Sequence, residues 1–320
     1  MKREPQTLIE AVRYFADADR TLETMVSLRW PTGVHCPTCG RTDVRFIATR
    51  RLWECKEKHP RKQFSAKVGT IFEDSPLSLD KWFVAIWSIA NCKNGISSHE
   101  LGRAIGITQK SAWFMLHRIR LAMQTGTFRK MTGETEADET YFGGRAEFMH
   151  EAKRKTKQFG GAAGGKAVVF GLLERKSEGR ASRVRAMIVK DATKKVLQTA
   201  IYEAVEPGAH VSTDSLPAYK FLSRDFTHEA VNHRANEYVR GNVHTQGIDN
   251  FWSLLKRAVK GTYVSVEPFH LQRYVEEQVF RFNERKDNDG GRFQKVLGSV
   301  TGKRITYKAL ITHAYNEAAA

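Results

Sequence analysis

The stretch Glu134-Thr-Glu-Ala-Asp138-Glu-Thr-Tyr-Phe-Gly-Gly144 sets the grammar of the chain's second half. Thr, Tyr and Phe favour a strand, and the glycine pair ends it. Asp138 stands in the middle of that strand, where a carboxylate costs stability unless it binds something. Working outward, segments 167–174 and 183–189 are also strand-like, rich in Val, Ile, Phe and Leu. A helix is expected over 193–205 and a strand over 209–213 ending at Asp214. A short strand at 229–232 and two helices, about 243–260 and 267–286, follow. Three strands, a helix, a strand and further helices predict an α/β unit, a mixed sheet with helices on its faces. Asp214 closes Val211-Ser-Thr-Asp214, at the end of a strand, where α/β sheets present ligand-binding groups. Asp249 opens the helix Ile248-Asp-Asn-Phe-Trp-Ser-Leu-Leu-Lys-Arg257. Taken singly, each acid could be a helix cap or a surface charge. Taken together, acids gathered from a sheet and a helix are what hard Mg2+ or Mn2+ ions require.

The 320 residues exceed what one small core needs, and a 41% apolar, 27% charged composition excludes a wholly disordered chain. Fifty-two Lys and Arg against thirty-five Asp and Glu leave a net charge of +17. A folded protein that basic is expected to meet a polyanion, nucleic acid before a membrane surface. Residues 150–195 hold thirteen Lys and Arg against four acids, over half of that net charge. Within them, Lys153 to Lys166 is basic and glycine-rich and reads as a mobile loop. The longest apolar run, Trp82 to Cys92, is too short to span a bilayer. Met1-Lys-Arg-Glu-Pro has no apolar stretch behind it, so no signal peptide is expected and the protein reads as cytoplasmic.

The N-terminal half is organised differently. Residues 7–30 have helical periodicity, and 34–72 are turn-rich and β-leaning. Cys36-Pro-Thr-Cys39-Gly40 is a zinc-knuckle half-site, and Cys55 with His59 completes a Cys3His set. His35 competes for the fourth place but adjoins Cys36 and would strain the chelate, and Cys92 on an apolar helix is expected in the core. Ser97 and Glu100 match a capping box, and Gly106-Ile-Thr108 reads as a turn into a second helix, Gln109 to Met123. Two short helices across a glycine turn predict a helix-turn-helix, its second helix carrying Lys110, His117, Arg118 and Arg120.

These pieces converge on a resemblance. The order strand Asp, late-strand Asp, helix acid, with Asp-Glu-Thr-Tyr-Phe-Gly-Gly and Ile-Asp-Asn-Phe-Trp-Ser-Leu-Leu-Lys-Arg, resembles the DDE transposases of bacterial insertion sequences. More closely, the chain resembles the insertion-sequence fifteen-ninety-five family. Gln63-Phe-Ser, Gly69-Thr-Ile-Phe72, Gly261-Thr-Tyr263, His270-Leu-Gln-Arg-Tyr274 and Phe280-Arg-Phe-Asn283 match its pattern, and the likeness runs from about residue 20 to 286.

The resemblance implies a zinc ribbon ahead of a ribonuclease-H-like catalytic domain, and strand exchange at transposon ends. It also implies two Mg2+ or Mn2+ ions held by Asp138, Asp214 and a third acid, one structural Zn2+, DNA as partner, and work as a homo-oligomer on that DNA. The ribbon's last ligand is commonly cysteine and is here His59; the third acid is commonly glutamate and is here Asp249. Family members vary at the third position, and Asn250 is the alternate. Helical spacing favours Asp249, whose stripe is Ser253, Lys256 and Lys260, whereas that of Asn250 is Leu254, Arg257 and Gly261. Ile248, Phe251, Trp252, Leu255 and Val259 form the opposing core face, and Lys256 is placed to support DNA. The expected organisation is a helical segment 1–33, zinc ribbon 34–72, a helical helix-turn-helix region 73–130, catalytic domain 131–287 and tail 288–320. Two competing readings remain: a DNA-binding regulator or domesticated transposase without chemistry, and a ribonuclease-H-like nuclease.

Overall fold

A computed structural model describes residues 4–124, 129–143, 166–231, 235, 237 and 239–312. The basic loop expected at 153–166 therefore lies, apart from Lys166, outside the described residues. The chain forms two compact units, Met1–Gln124 with Asp287–Ala320, and Thr125–Lys286.

In the first unit the helical stretch predicted over 7–30 is two helices, α1 (Leu8–Phe15) and α2 (Ala18–Arg29). The break has a local cause: the Asp17 carboxylate accepts the N–H groups of Asp19 and Arg20 and starts a new helix. Strands β1 (Val44–Ile47), β2 (Leu52–Cys55) and β3 (Gln63–Phe64) make a small antiparallel sheet in that order. Trp30, Trp53 and Phe64 pack together beneath it. Helix α3 (Leu79–Asn91) buries Trp82, Phe83, Ile86, Trp87 and Ile89. Cys92 is exposed, contrary to expectation, because α3 ends at Asn91 and Cys92 leaves the helix in extended conformation. Helices α4 (Ser98–Ile105) and α5 (Gln109–Met123) follow. The Ser97–Glu100 capping box is formed, and Gly106 takes the left-handed conformation (φ 64°) that the turn demands.

In the second unit, β4 (Thr135–Phe142), β5 (Ala167–Glu174), β6 (Arg183–Val189), α6 (Lys194–Ala204), β7 (His210–Asp214) and β8 (Thr227–Val231) succeed one another. The sheet order is β6-β5-β4-β7-β8, with β4, β7 and β8 parallel and β5 and β6 antiparallel. The short strands β9 (Val239–Arg240) and β10 (Val243–His244) pair before α7 (Gln246–Arg257), and α8 (Leu271–Asn283) completes the unit. Helix α7 runs on into a π-helical turn, Ala258–Tyr263. Side chains alternate across the sheet and build a core on each face. Ala137, Phe170 and Leu172 join Leu197 and Ile201 of α6 on one face. Val169, Leu173 and Val184 join Ile248, Phe251, Trp252 and Leu255 of α7, with Leu271 and Val275 of α8, on the other. This is the α/β, ribonuclease-H-like mixed sheet that the patterning and the resemblance predict.

The residues beyond 287 form α9 (Asp289–Gly298) and α10 (Tyr307–Ile311) of the first unit. The Phe293 ring of α9 packs edge-on against Phe83 and tilted against Phe15 and Trp87. Among the described residues no helix is long and apolar enough to cross a membrane.

Candidate functional site

Two groups of chemically competent side chains emerge. The first is the Cys3His set of the small sheet. Cys36, Cys39, Cys55 and His59 each offer a ligand atom, all within 4.8 Å of one another. Cys36 Sγ lies 3.4 Å from His59 Nε2 and Cys39 Sγ 3.6 Å from Cys55 Sγ. A tetrahedron with Zn–S bonds of about 2.3 Å has sulfurs roughly 3.8 Å apart, so the quartet fits the ion. Burial pushes the Cys36 thiol up, but the N–H groups of Cys39 and Thr38 and the adjacent thiols outweigh it and bring the group down to about 7. That favours the thiolate that zinc binds. His35 lies outside the quartet and packs edge-on against Trp30.

The second group lies where β4 outruns its parallel neighbour. β7 ends at Asp214, whose preceding residue Thr213 pairs with Ala137, while β4 continues to Phe142. Asp138 and Asp214 thus occupy adjacent register positions at the carboxyl end of β7, where parallel strands present ligand-binding groups. Asp214 accepts the N–H of Leu216 at 3.0 Å. Asp138 accepts the indole N–H of Trp252 at 2.8 Å. Burial, then the charge of Glu139, with smaller contributions from Asp249 and Asp214, push the Asp138 carboxyl up to about 8 against the Trp252 hydrogen bond. Asp138 therefore feels the charges of both Asp214 and Asp249. Among the described residues the three predicted acids do not draw together as tightly as the zinc quartet.

Asp249 sits exposed in the first turn of α7, where Thr245 donates its hydroxyl at 3.2 Å. Asn250 is exposed too, Lys256 is half-buried, and Ile248, Phe251, Trp252, Leu255 and Val259 are buried. Oxygen donors that are exposed at Asp249 and half-buried at Asp138 and Asp214 suit Mg2+ or Mn2+. On the helix-turn-helix, three of the four side chains named from the sequence are core rather than surface. His117, Arg118 and Arg120 are at most 3% exposed, and Arg118 donates to the Glu73 carbonyl. Arg103, Gln109 and Lys110 are exposed around the turn.

Sequence reasoning missed two acids. Glu139, on the sheet face away from Asp138, accepts the Tyr219 hydroxyl at 2.8 Å and is pushed up chiefly by burial. Glu136, two residues before Asp138, is 1% exposed and engages Arg175 at 2.7 Å. Its signal was available: two acids at i and i+2 share a strand face.

Comparison with known proteins places both halves of the chain among transposase domains. Residues 130–283 match the family model described as an ISXO2-like transposase domain. Residues 17–59, ending at His59, match the transposase zinc-ribbon domain. A relative described as an uncharacterized protein in transposable element ISH50, from Halobacterium salinarum, is 28% identical over 257 residues, covering 77% of this chain and 84% of the relative.

Proposed function

The chain belongs to the insertion-sequence transposases of the fifteen-ninety-five family, and from that premise we propose that it binds the ends of its element and carries out metal-dependent nicking and strand transfer. The observation that carries this reading is the juxtaposition of Asp138 and Asp214 at adjacent register positions of parallel strands β4 and β7, with the half-buried Asp138 carboxyl raised to about 8 within the fields of Asp214 and Asp249. A group held in such conflict with its surroundings is suited to receiving a cation. Asp138, Asp214 and Asp249 would hold Mg2+ or Mn2+, and Asp249 is favoured over Asn250 because its charge already acts on Asp138. When bound, two such ions activate a water or 3′-hydroxyl and stabilise the leaving oxygen of a phosphodiester. The chain's own contribution is to orient the carboxylates. Trp252 fixes one Asp138 oxygen, and the Leu216 N–H fixes one of Asp214. Lys256, about 10 Å along α7 from Asp249, is spaced to hold flanking DNA. The zinc ribbon and the exposed turn of the helix-turn-helix supply DNA contacts, in a homo-oligomer assembled on the ends in the cytoplasm.

The test is purified protein with labelled terminal DNA and Mg2+. Joined products support the reading; binding without chemistry favours a regulator, and cutting without joining a nuclease. Asp138→Ala, Asp214→Ala and Asp249→Ala should abolish nicking while end binding survives, and Asn250→Ala should be milder. Normal nicking by Asp249→Ala beside a dead Asn250→Ala would transfer the third role to the asparagine.

A further inference from the structure

Helix α7 meets strand β4 at two points. At the first, Glu136 accepts the backbone N–H of Ile248 at 2.9 Å. At the second, Asp138 accepts the Trp252 indole N–H at 2.8 Å. Two strand residues advance about 6.7 Å and four helical residues about 6 Å. Helix and strand therefore run the same way in matched steps, like two rungs of a ladder.

Each rung depends on a glycine. Gly171 pairs with Asp138 across the β4–β5 ladder, and a Cβ there would stand 2.5 Å from the Trp252 ring. Leu173 pairs with Glu136, and a Cβ on Gly247 would stand 2.9 Å from the Glu136 carboxylate and 3.0 Å from Leu173. A larger residue at Gly171 would collide with the Trp252 ring, and one at Gly247 would displace the Glu136 carboxylate.

Glu136 is also tied to the chain that leads into α7. Arg175 Nε donates to Glu136 Oε1 at 2.7 Å, and the same guanidinium reaches Glu134 at 3.0 Å and the carbonyls of Asn242 at 2.6 Å and His244 at 2.8 Å. The His244 ring stands 3.3 Å from Glu136. A buried ion pair is a poor source of stability, since apolar side chains of similar volume often serve as well. What this one provides is register between β4 and α7.

We propose that Glu136 is a positioning residue: with Arg175 it sets the height of α7 on β4, so that the short acid Asp249 stands beside Asp138. Aspartate is one methylene, about 1.5 Å, shorter than glutamate, and a helix seated on two glycines compensates. The proposal rests on the transposase reading and assigns to this pair the fit between helix and third acid.

The experiment compares the full-length zinc-loaded protein with Glu136→Gln, Asp249→Glu and the double variant. Mn2+ binding is measured by calorimetry, and the Mg2+ dependence of nicking on end DNA. Glu136→Gln should weaken Mn2+ binding and raise the Mg2+ needed for half-maximal nicking by about tenfold, with end-DNA affinity unchanged. Asp249→Glu should be harmful alone and should restore Mn2+ affinity in the Glu136→Gln background. Wild-type Mn2+ affinity and Mg2+ dependence in a folded Glu136→Gln protein overturn the proposal. If Glu136→Gln does not fold, Arg175→Lys, which keeps a charge beside Glu136 but gives up the fork to two carbonyls, must show the same loss of Mn2+ affinity. Unchanged affinity there overturns it equally. A wild-type protein that binds no Mn2+ overturns the transposase reading and the positioning role together, an outcome distinct from failure of the positioning role alone.

Discussion

Burial and the neighbouring Glu139 charge raise the Asp138 carboxyl from its ordinary 3.8 to about 8, so in the absence of Mg2+ folding takes up a proton across that interval. The sign follows from linkage. Below about pH 4 both folded and unfolded chains hold the proton; as pH rises towards 8 only the folded chain still must, and stability falls. Asp138→Asn keeps an oxygen for Trp252 without the charge. It should therefore raise the melting temperature of Mg2+-free, zinc-loaded protein, by an increment that grows from pH 5 to pH 8, while nicking is lost. Calorimetric scans across that range check it; an increment that shrinks with pH counts against the buried charge. The zinc quartet gives a second prediction at this scale. Metal analysis should return about one Zn per chain, falling on Cys39→Ser with loss of the ribbon's structure. Full occupancy in a Cys55→Ala/His59→Ala protein would remove both residues from the site.

At the scale of elements, β5 and α7 are close because Gly171 has no side chain. Gly171→Ala places a Cβ 2.5 Å from the Trp252 ring, itself 3% exposed. Overpacking of that kind costs about 1–3 kcal/mol. Chemical denaturation should show it, accompanied by a change in Trp252 fluorescence; a neutral substitution would mean that the helix is free to move. Helices α4 and α5 divide their labour by exposure. Replacing Gln109 and Lys110, exposed at the start of α5, should reduce discrimination between end and random DNA at unchanged melting temperature, since base-edge contacts are worth about 1–3 kcal/mol each. Substitutions at buried Arg118 or Arg120 should instead lower stability. Competition binding separates the two behaviours.

For the whole molecule, a charge of +17 predicts binding to DNA that weakens steeply with salt, as Lys and Arg displace condensed counterions. Neutralising Lys153, Arg154, Lys155 and Lys157 should lower affinity for all sequences alike and flatten the salt slope. A slope near zero in the intact protein would remove the polyanion argument. Much at this scale was legible in the sequence. The sheet's strands, the α6 helix, the caps of α4 and α5 and the zinc quartet are encoded in local spacing, because periodicity, capping and chelation each act over a few residues. The order of three acids, spread over more than a hundred residues, was legible through the family resemblance and not through local spacing. Other features required the folded chain. Glu136 meets Ile248 across 112 residues of sequence and Asp138 meets Trp252 across 114, and no local pattern announces such pairs. Cys92 turned outward because its helix ends one residue before it, and His117, Arg118 and Arg120 turned inward because burial is set by what packs on a helix, not by its composition. The sequence by itself determined which groups are available for chemistry; the tertiary structure alone decided which are buried, and so which carboxylates the low-dielectric interior drives to find a partner.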